Sequence, residues 1–391
     1  MKKHNRLQRC LWAATLSLLG IAHAQSYLPP EAAARAAVAQ SPTVQAADAA
    51  RRSAQARADG LRAGPHETVM RATGQRRWVR DGSGQRFSEG QIAIERPLRL
   101  WGKAEADADL AAATQSTGDI AAQDARHETA RQLLALWFAA LRAGQVRQAA
   151  QDNGGAATEL ARITERRVRA GDAARLEAEL AAAEQARMQA QLASAEAVEK
   201  AALAELRARF PGLDTVPGDT VAAPLPDLPA QSPAELRARY ITRSHEYLLA
   251  QAEETLALRQ ARRTDLERRP DPTVGIFATS ERGGAERIAG VSFSLPLGSV
   301  QRKAQAATAL ADADAALSRR LAAEQRLGAQ FDVLWSQLSG QRAATRAQSE
   351  AAQLQRSAAE RALRAYRAGE SGLTELLAVR RALADAMLAE R

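Results

Sequence analysis

One short statement occurs twice in this chain. Residues 168–179 read VRAGDAARLEAE, and residues 366–377 read YRAGESGLTELL, each with an Arg-Ala-Gly-acid core inside a long alanine-rich segment. The echo extends well beyond the core. Gln132 matches Gln330, Leu136-Trp137 matches Leu334-Trp335, Gly171 matches Gly369, and Pro97 matches Pro296, all at offsets of 198 or 199. Alanine recurs by chance in such a sequence, but Trp, Gln, Gly and Pro do not recur together in one register. A fixed internal period limits the fold to two copies of one supersecondary unit, each of which must bury its apolar face against the other or against further copies.

The pattern within each copy names the unit. Residues from Glu31 to about Leu61 have helical composition and are broken by Gly64-Pro65. Segments 67–79 and 87–98 have strand character around the turn-rich RDGSGQR. In the second segment Ile92, Ile94 and Arg96 share one face, Gln91, Ala93 and Glu95 share the other, and Pro97 closes the strand. Helical composition then runs from about Gly102 to Arg167 and resumes after Gly171 as far as Phe210. Six of the 14 prolines follow in a run from Pro211 to Pro233, which favours extended chain and marks the midpoint. The second copy repeats the order. Helical residues 234–268 end at Pro270-Asp271-Pro272; strands 273–280 and 288–297 flank the ERGGAE turn; helix runs to Arg367 and again after Gly369. Val291, Phe293 and Leu295 alternate with Ser292 and Ser294, a period of two.

Composition agrees with rods rather than a globule. Aromatics are 4% of the 391 residues and alanine dominates the apolar fraction, which suits long helices packed closely through small side chains. About 65 unbroken helical residues per copy amount to on the order of 100 Å of helix, a length that calls for coiled-coil-like contacts. The expected fold is mainly α with a small β part: duplicated long helical hairpins plus four strands. Strands of about 10 residues with one apolar face match those that cross a bilayer in tilted barrels. Two hairpins do not close a barrel, and open edges are forbidden in lipid, so membrane strands here require sister chains. The alternative on these residues is a soluble periplasmic coiled-coil scaffold or adaptor decorated by surface hairpins.

Residues 1–24 read as a signal peptide: a basic MKKHNRLQR, an apolar CLWAATLSLLGIA too short to span a bilayer, and Ala22-His23-Ala24 before Gln25. The formal charge of +9 includes Lys2, Lys3, Arg6 and Arg9 of that leader. The remaining arginines alternate with acids as on solvated helix faces, with no aromatic-laced basic cluster, so nucleic acid is not an expected partner. The single cysteine, Cys10, lies in the leader. Outside the leader the histidines are His66, His127 and His245, scattered without metal-ligand spacing. No Walker loop or nucleophile-elbow motif is present. No catalytic residue, cofactor or metal site is expected, and the chain does not read as an enzyme.

The junctions IAIERPLRLWGK and VSFSLPLGSVQRKA, the twin RAG-acid turns, and PDPTVGIFATSERGG followed by GVSFSLPL resemble the TolC family of outer-membrane efflux channels, including its heavy-metal (CzcC-like) branch. The resemblance spans about residues 28–391. It implies two outer-membrane efflux repeats, residues 25–209 and 234–391, around a Pro-rich linker at 210–233. It also implies a homotrimer whose twelve strands form one barrel in outer-membrane lipid above a helical periplasmic tunnel. The partners implied are a periplasmic adaptor (membrane fusion) protein and an inner-membrane RND-type pump. Arg169, Ala170, Gly171 and Asp172, with Arg367, Ala368, Gly369 and Glu370, would form the periplasmic tips where the adaptor docks. Matching by position sets Glu375 on one of the family's gating carboxylates, with Ala378 at the other and Glu177 as the corresponding acid of the first tip. The same acids also fit simple helix-dipole stabilisation early in a helix. Ile92, Ile94, Val291, Phe293 and Leu295 would face lipid. The segment after the second tip is expected to be short, ending 22 residues past Gly369, whereas the first runs on to Phe210.

Overall fold

In the computed structural model, residues 27–80, 82, 84–213, 225, 227–298 and 300–390 are described. The expected leader and half of the Pro-rich linker lie outside them. Two helices, a hairpin and two more helices occur in that order twice. The first set is α1 (Glu31–Gln40), α2 (Pro42–Ala63), β1 (Val69–Trp78), β2 (Arg86–Pro97), α3 (Lys103–Ala170) and α4 (Arg175–Arg209). The second is α5 (Pro233–Arg243), α6 (His245–Leu266), β3 (Thr273–Glu281), β4 (Glu286–Ser294), α7 (Val300–Ala368) and α8 (Leu373–Glu390).

The opening helix of each copy is in fact a pair. Ser41 takes φ −58°, ψ 132° because the following Pro42 ring excludes the helical region for the residue before it. Ser244 does the same at φ −65°, ψ 129° and starts α6. The Pro-Ala-Glu after Ser232 forms a capping box, with the Ser232 hydroxyl accepting from the Glu235 N–H (3.3 Å) and the Glu235 carboxylate from the Ser232 N–H (3.1 Å).

The chain packs as two units. One comprises the described parts of Pro42–Glu128 and Pro229–Ser336. It holds a four-stranded antiparallel sheet of order β1-β2-β3-β4, in which the hairpin of the first copy pairs with that of the second. Pairing aligns Met70, Ile94, Ile276 and Val291 in one row across all four strands, and Ala72, Ile92, Ala278 and Ala289 in the next. Arg71, Glu95, Thr73 and Gln91 point the other way, with Arg71–Glu95 (3.6 Å) and Gln75–Glu89 (2.8 Å) pairs among them. On this second face Phe277 lies directly over Gly290, where a Cβ would stand 2.6 Å from the ring.

The sheet is tied to its helices by charge. Lys103 is fully buried, its ammonium donating to Glu267 (3.2 Å) and Asp271 (2.9 Å). Arg99 pairs with Asp107 and donates to the Leu61 and Arg62 carbonyls (3.0 and 2.9 Å), closing the end of α2. Asp107 and Glu267 are further bound by Arg263. The loop Pro270-Asp271-Pro272 thus meets the β2–α3 loop, and the Leu98 N–H donates to the Pro272 carbonyl (2.9 Å). A buried ammonium needs such partners, since leaving it unpaired costs several kcal/mol.

The other unit comprises the described parts of Met1–Ser41, Thr129–Leu228 and Gln337–Arg391. Its first cluster packs Leu133, Trp137 and Ala140 of α3 against Ala37, Leu206 and Phe210, with the Trp137 indole N–H donating to the Tyr27 carbonyl (2.8 Å). Its second packs Leu160 and Ala181 against Tyr366, Leu373, Leu376 and Leu377. Within the sheet-bearing unit, buried positions along α7 follow the three-four alternation of a coiled-coil seam, through Ala309, Ala313, Ala316, Ala323 and Leu327. No helix among the described residues is long and apolar enough to cross a membrane, which says nothing of a β-barrel.

Candidate functional site

The two RAG-acid segments are helix ends of one geometry. Gly171 has φ 85° and Gly369 φ 78°, the left-handed conformation that glycine adopts without a Cβ penalty. The Gly171 N–H donates to the Val168 carbonyl (3.1 Å) and the Asp172 N–H to the Arg167 carbonyl (2.8 Å); the Gly369 N–H donates to Tyr366 (3.1 Å) and the Glu370 N–H to Ala365 (2.9 Å). Both are Schellman motifs, which satisfy the last carbonyls of a long helix in three residues. Each chain then re-enters a helix, α4 or α8, so the repeated phrase is the signal for a tight helix–helix turn. Arg169, Ala170, Gly171 and Asp172 are exposed, as are Arg367, Ala368, Gly369 and Glu370.

The turns are clamped together by residues the sequence reading did not single out. Tyr366 is buried, and its hydroxyl lies 3.2 Å from both the Thr164 hydroxyl and the Glu177 carboxylate. Arg167 sits 4.5 Å from the Tyr366 ring centre and donates to the carbonyls of Tyr366 (3.1 Å) and Asp172 (3.3 Å), holding the backbones of both turns. Glu177 is therefore half-buried and engaged, whereas Glu375, its counterpart 198 residues on, is exposed with no hydrogen-bond or ion-pair partner among the described residues. One face carries the tyrosine and the arginine because the equivalent positions, Val168 and Ala365, do not repeat them.

A second staple lies farther along. Glu184 is buried and accepts from Arg187 (2.6 and 3.1 Å) and from Arg381 of α8 (2.8 and 3.0 Å). Burial alone would raise its pKa, but the hydrogen bonds from Arg187 and Arg381 outweigh it and hold the carboxyl below its usual range. Arg380, beside it in sequence, is pushed down by burial and by the charge of Arg367.

In the sheet, Ile92, Ile94, Val291 and Phe293 all lie on the exposed apolar face, with Val291 82% exposed. Leu295, expected within the last strand, lies one residue past its end at Ser294, next to Pro296, which has no N–H to continue a ladder. Trp78 and Trp101 are exposed at opposite ends of this part of the chain, the latter donating to the Pro270 carbonyl (3.3 Å). Strands β1 and β4 each have one neighbour, so the sheet has two open edges.

No family model and no curated protein matches the chain. Solved structures do. The outer-membrane channel OprN superposes at TM-score 0.77 and 19% identity over 92% of this chain and 85% of that one. The outer membrane protein VceC of Vibrio cholerae does so at 0.72 and 17%, over 91% and 90%. The Campylobacter jejuni CmeC outer membrane channel does so at 0.70 and 15%, over 92% and 81%. The fold is that of the TolC-family outer-membrane channels. It accounts for the order of elements, the hairpins shared in one sheet, and the twin turns, and these similar structures are channel proteins rather than enzymes.

Proposed function

We propose that the chain is the outer-membrane component of a tripartite efflux system, conducting metal cations or drugs passively from an inner-membrane pump and a periplasmic adaptor. The observation that carries this reading is the sheet. Four strands of 9–12 residues present one continuous apolar row to the outside and leave both edges unpaired. Exposed, such edges invite uncontrolled pairing, and in lipid their bare N–H and C=O groups are not tolerated. Three copies supply twelve strands and so a closed barrel without free edges. Export through residues 1–24, a location in the outer membrane and homotrimer assembly belong to this proposal. So do the two efflux repeats, with the exposed turns as the adaptor's docking points.

Conduction would be governed at the turns. Glu375 is free to contribute a ring of three carboxylates to a constriction, which attracts cations and repels anions. Glu177 is held by Tyr366 until the turns separate. The test is purification from the outer-membrane fraction, mass determination in detergent, and planar-bilayer recording. A trimer with ohmic pores, whose cation preference falls on Glu375→Ala, supports the proposal. A monomer in the soluble periplasmic fraction without conductance overturns it and leaves a coiled-coil scaffold.

A further inference from the structure

His127 and His245 are 118 positions apart in sequence, yet their rings meet with centroids 5.1 Å apart and planes tilted by 49°. His127 is on α3 and exposed; His245 is the first residue of α6. The Nδ1 atom of His245 is buried and makes no hydrogen bond. Buried imidazole nitrogens are ordinarily satisfied, and this one is left unpaired beside a second imidazole ring. Asp124, one turn before His127, and Glu128 and Glu246, each next to one of the histidines, surround the pair. The Asp124 carboxyl is pushed up by burial first, with Glu246 and Glu128 adding to that and the two histidines opposing it. Arg126, next to His127 in sequence, pairs with Asp48, and Arg326 pairs with Glu246, so Glu246 is already partly neutralised.

We propose that His127 and His245 form a two-point site for a borderline divalent cation of the Cu2+, Ni2+ or Zn2+ class, cross-linking α3 to α6. A metal–imidazole bond of about 2.0–2.1 Å places an ion roughly 3.2 Å from each ring centre. Centroids 5.1 Å apart then subtend about 105° at the ion, within the range of tetrahedral and tetragonal geometries. Among the described residues no three ligating side chains already converge, so water completes the coordination, and the surrounding carboxylates supply negative field. Imidazole ligands select Cu2+ over Ni2+ and Zn2+ and exclude Mg2+. The site is separate from the turns and the sheet and does not depend on the channel reading.

The test uses the full-length chain without a polyhistidine tag, titrated calorimetrically with the chlorides of Cu2+, Ni2+, Zn2+ and Mg2+. Expected are one saturable Cu2+ per chain and an electron paramagnetic resonance spectrum with two nitrogen donors. Affinity should drop at least tenfold in His127→Gln and in His245→Gln, with none lost in the control His66→Gln. Metal and protons compete for the same imidazole nitrogens, so affinity should fall steadily as the pH is lowered. Unchanged Cu2+ affinity in both variants, or equal loss in His66→Gln, would each overturn the proposal. Because His127 is exposed, its variant keeps the fold, and helical circular dichroism verifies that.

Discussion

Helices α3 and α7 are counterparts of 68 and 69 residues, yet they bury different things. Along α3 several large side chains are inside: Leu110, Leu133, Trp137 and Leu160 are buried, while Leu134 and Phe138 are exposed. Along α7 the buried seam is mostly alanine, while Leu310 is 58% and Leu354 64% exposed, and Leu321, Val333 and Leu334 are also exposed. A duplicated sequence therefore has not produced duplicated surroundings. Helix α3 buries large side chains, whereas α7 closes a narrow alanine seam and leaves most of its leucines facing outward. Full burial of one such side chain is worth about 1.5–3 kcal/mol, so a row of them exposed is a contact surface waiting for another chain. On the proposed function the occupant is a sister subunit.

The tryptophan pair tests this contrast most severely. Trp137 is fully buried and bonded to Tyr27, whereas Trp335 is half-exposed and stacks on Phe331 at 6.2 Å. Trp137→Ala should cost about 3–5 kcal/mol, and Trp335→Ala less than about 1 kcal/mol, in guanidinium unfolding of the protomer followed by helical circular dichroism. Equal losses would mean that the two copies are energetically alike and that the burial contrast has no consequence.

The leucines of α7 come next. Leu310→Glu combined with Leu321→Glu should reduce assembly in detergent by about a hundredfold, near 3 kcal/mol, while leaving the protomer's unfolding midpoint within about 0.5 kcal/mol of the parent. Light scattering gives the first quantity and denaturation the second. A double variant that still assembles moves the subunit contact away from this face.

The same contrast explains what could be read in advance. Element order, strand phase and the twin turns follow from local rules: glycine at a left-handed helix end, proline at a strand end, alternation in VSFSL. The breaks at Ser41 and Ser244 interrupt segments read as single helices. Pro42 signalled the first, while Ser244 carries no signal stronger than a serine. Tyr366 clamping Arg167, Glu184 gripping Arg381 and His127 meeting His245 each join residues more than 110 positions apart, and no periodicity records such pairs. Position-matching pairs Glu177 with Glu375, and what it does not record is that Tyr366, opposite Val168, gives Glu177 a partner while Glu375 has none among the described residues.

Glu184 measures how firmly the copies are joined within their shared unit. Its pKa is depressed in the folded chain, so its stabilising effect is present above the free-carboxylate value of about 4.3 and is lost as pH falls through the lower folded value. Glu184→Gln should destabilise by about 1–2 kcal/mol at pH 7 and by less at pH 3, because the parent's own advantage shrinks as pH falls below the free-carboxylate value of about 4.3. A deficit that persists unchanged at pH 3 would show that the amide disturbs packing rather than removing a charge pair with Arg381.

The smallest effect concerns the turns. Tyr366→Phe keeps the ring in its cluster with Leu373 and Leu376 and under Arg167, and deletes only the hydroxyl. Thr164 still donates to the Leu160 carbonyl at 3.0 Å, so the unpaired group left behind is the Glu177 carboxylate, which is half-buried and can turn to water. The expected cost is about 1 kcal/mol. Its value lies in the second readout: with Glu177 released, the two copies acquire matching free acids, and pores of the variant should be more cation-selective and open more often than the parent's. Val168→Phe, at the equivalent position of the first turn, removes no hydroxyl and should change neither quantity. If both variants behave like the parent, the turns are held by leucine packing alone, and the difference between Glu177 and Glu375 has no bearing on conduction.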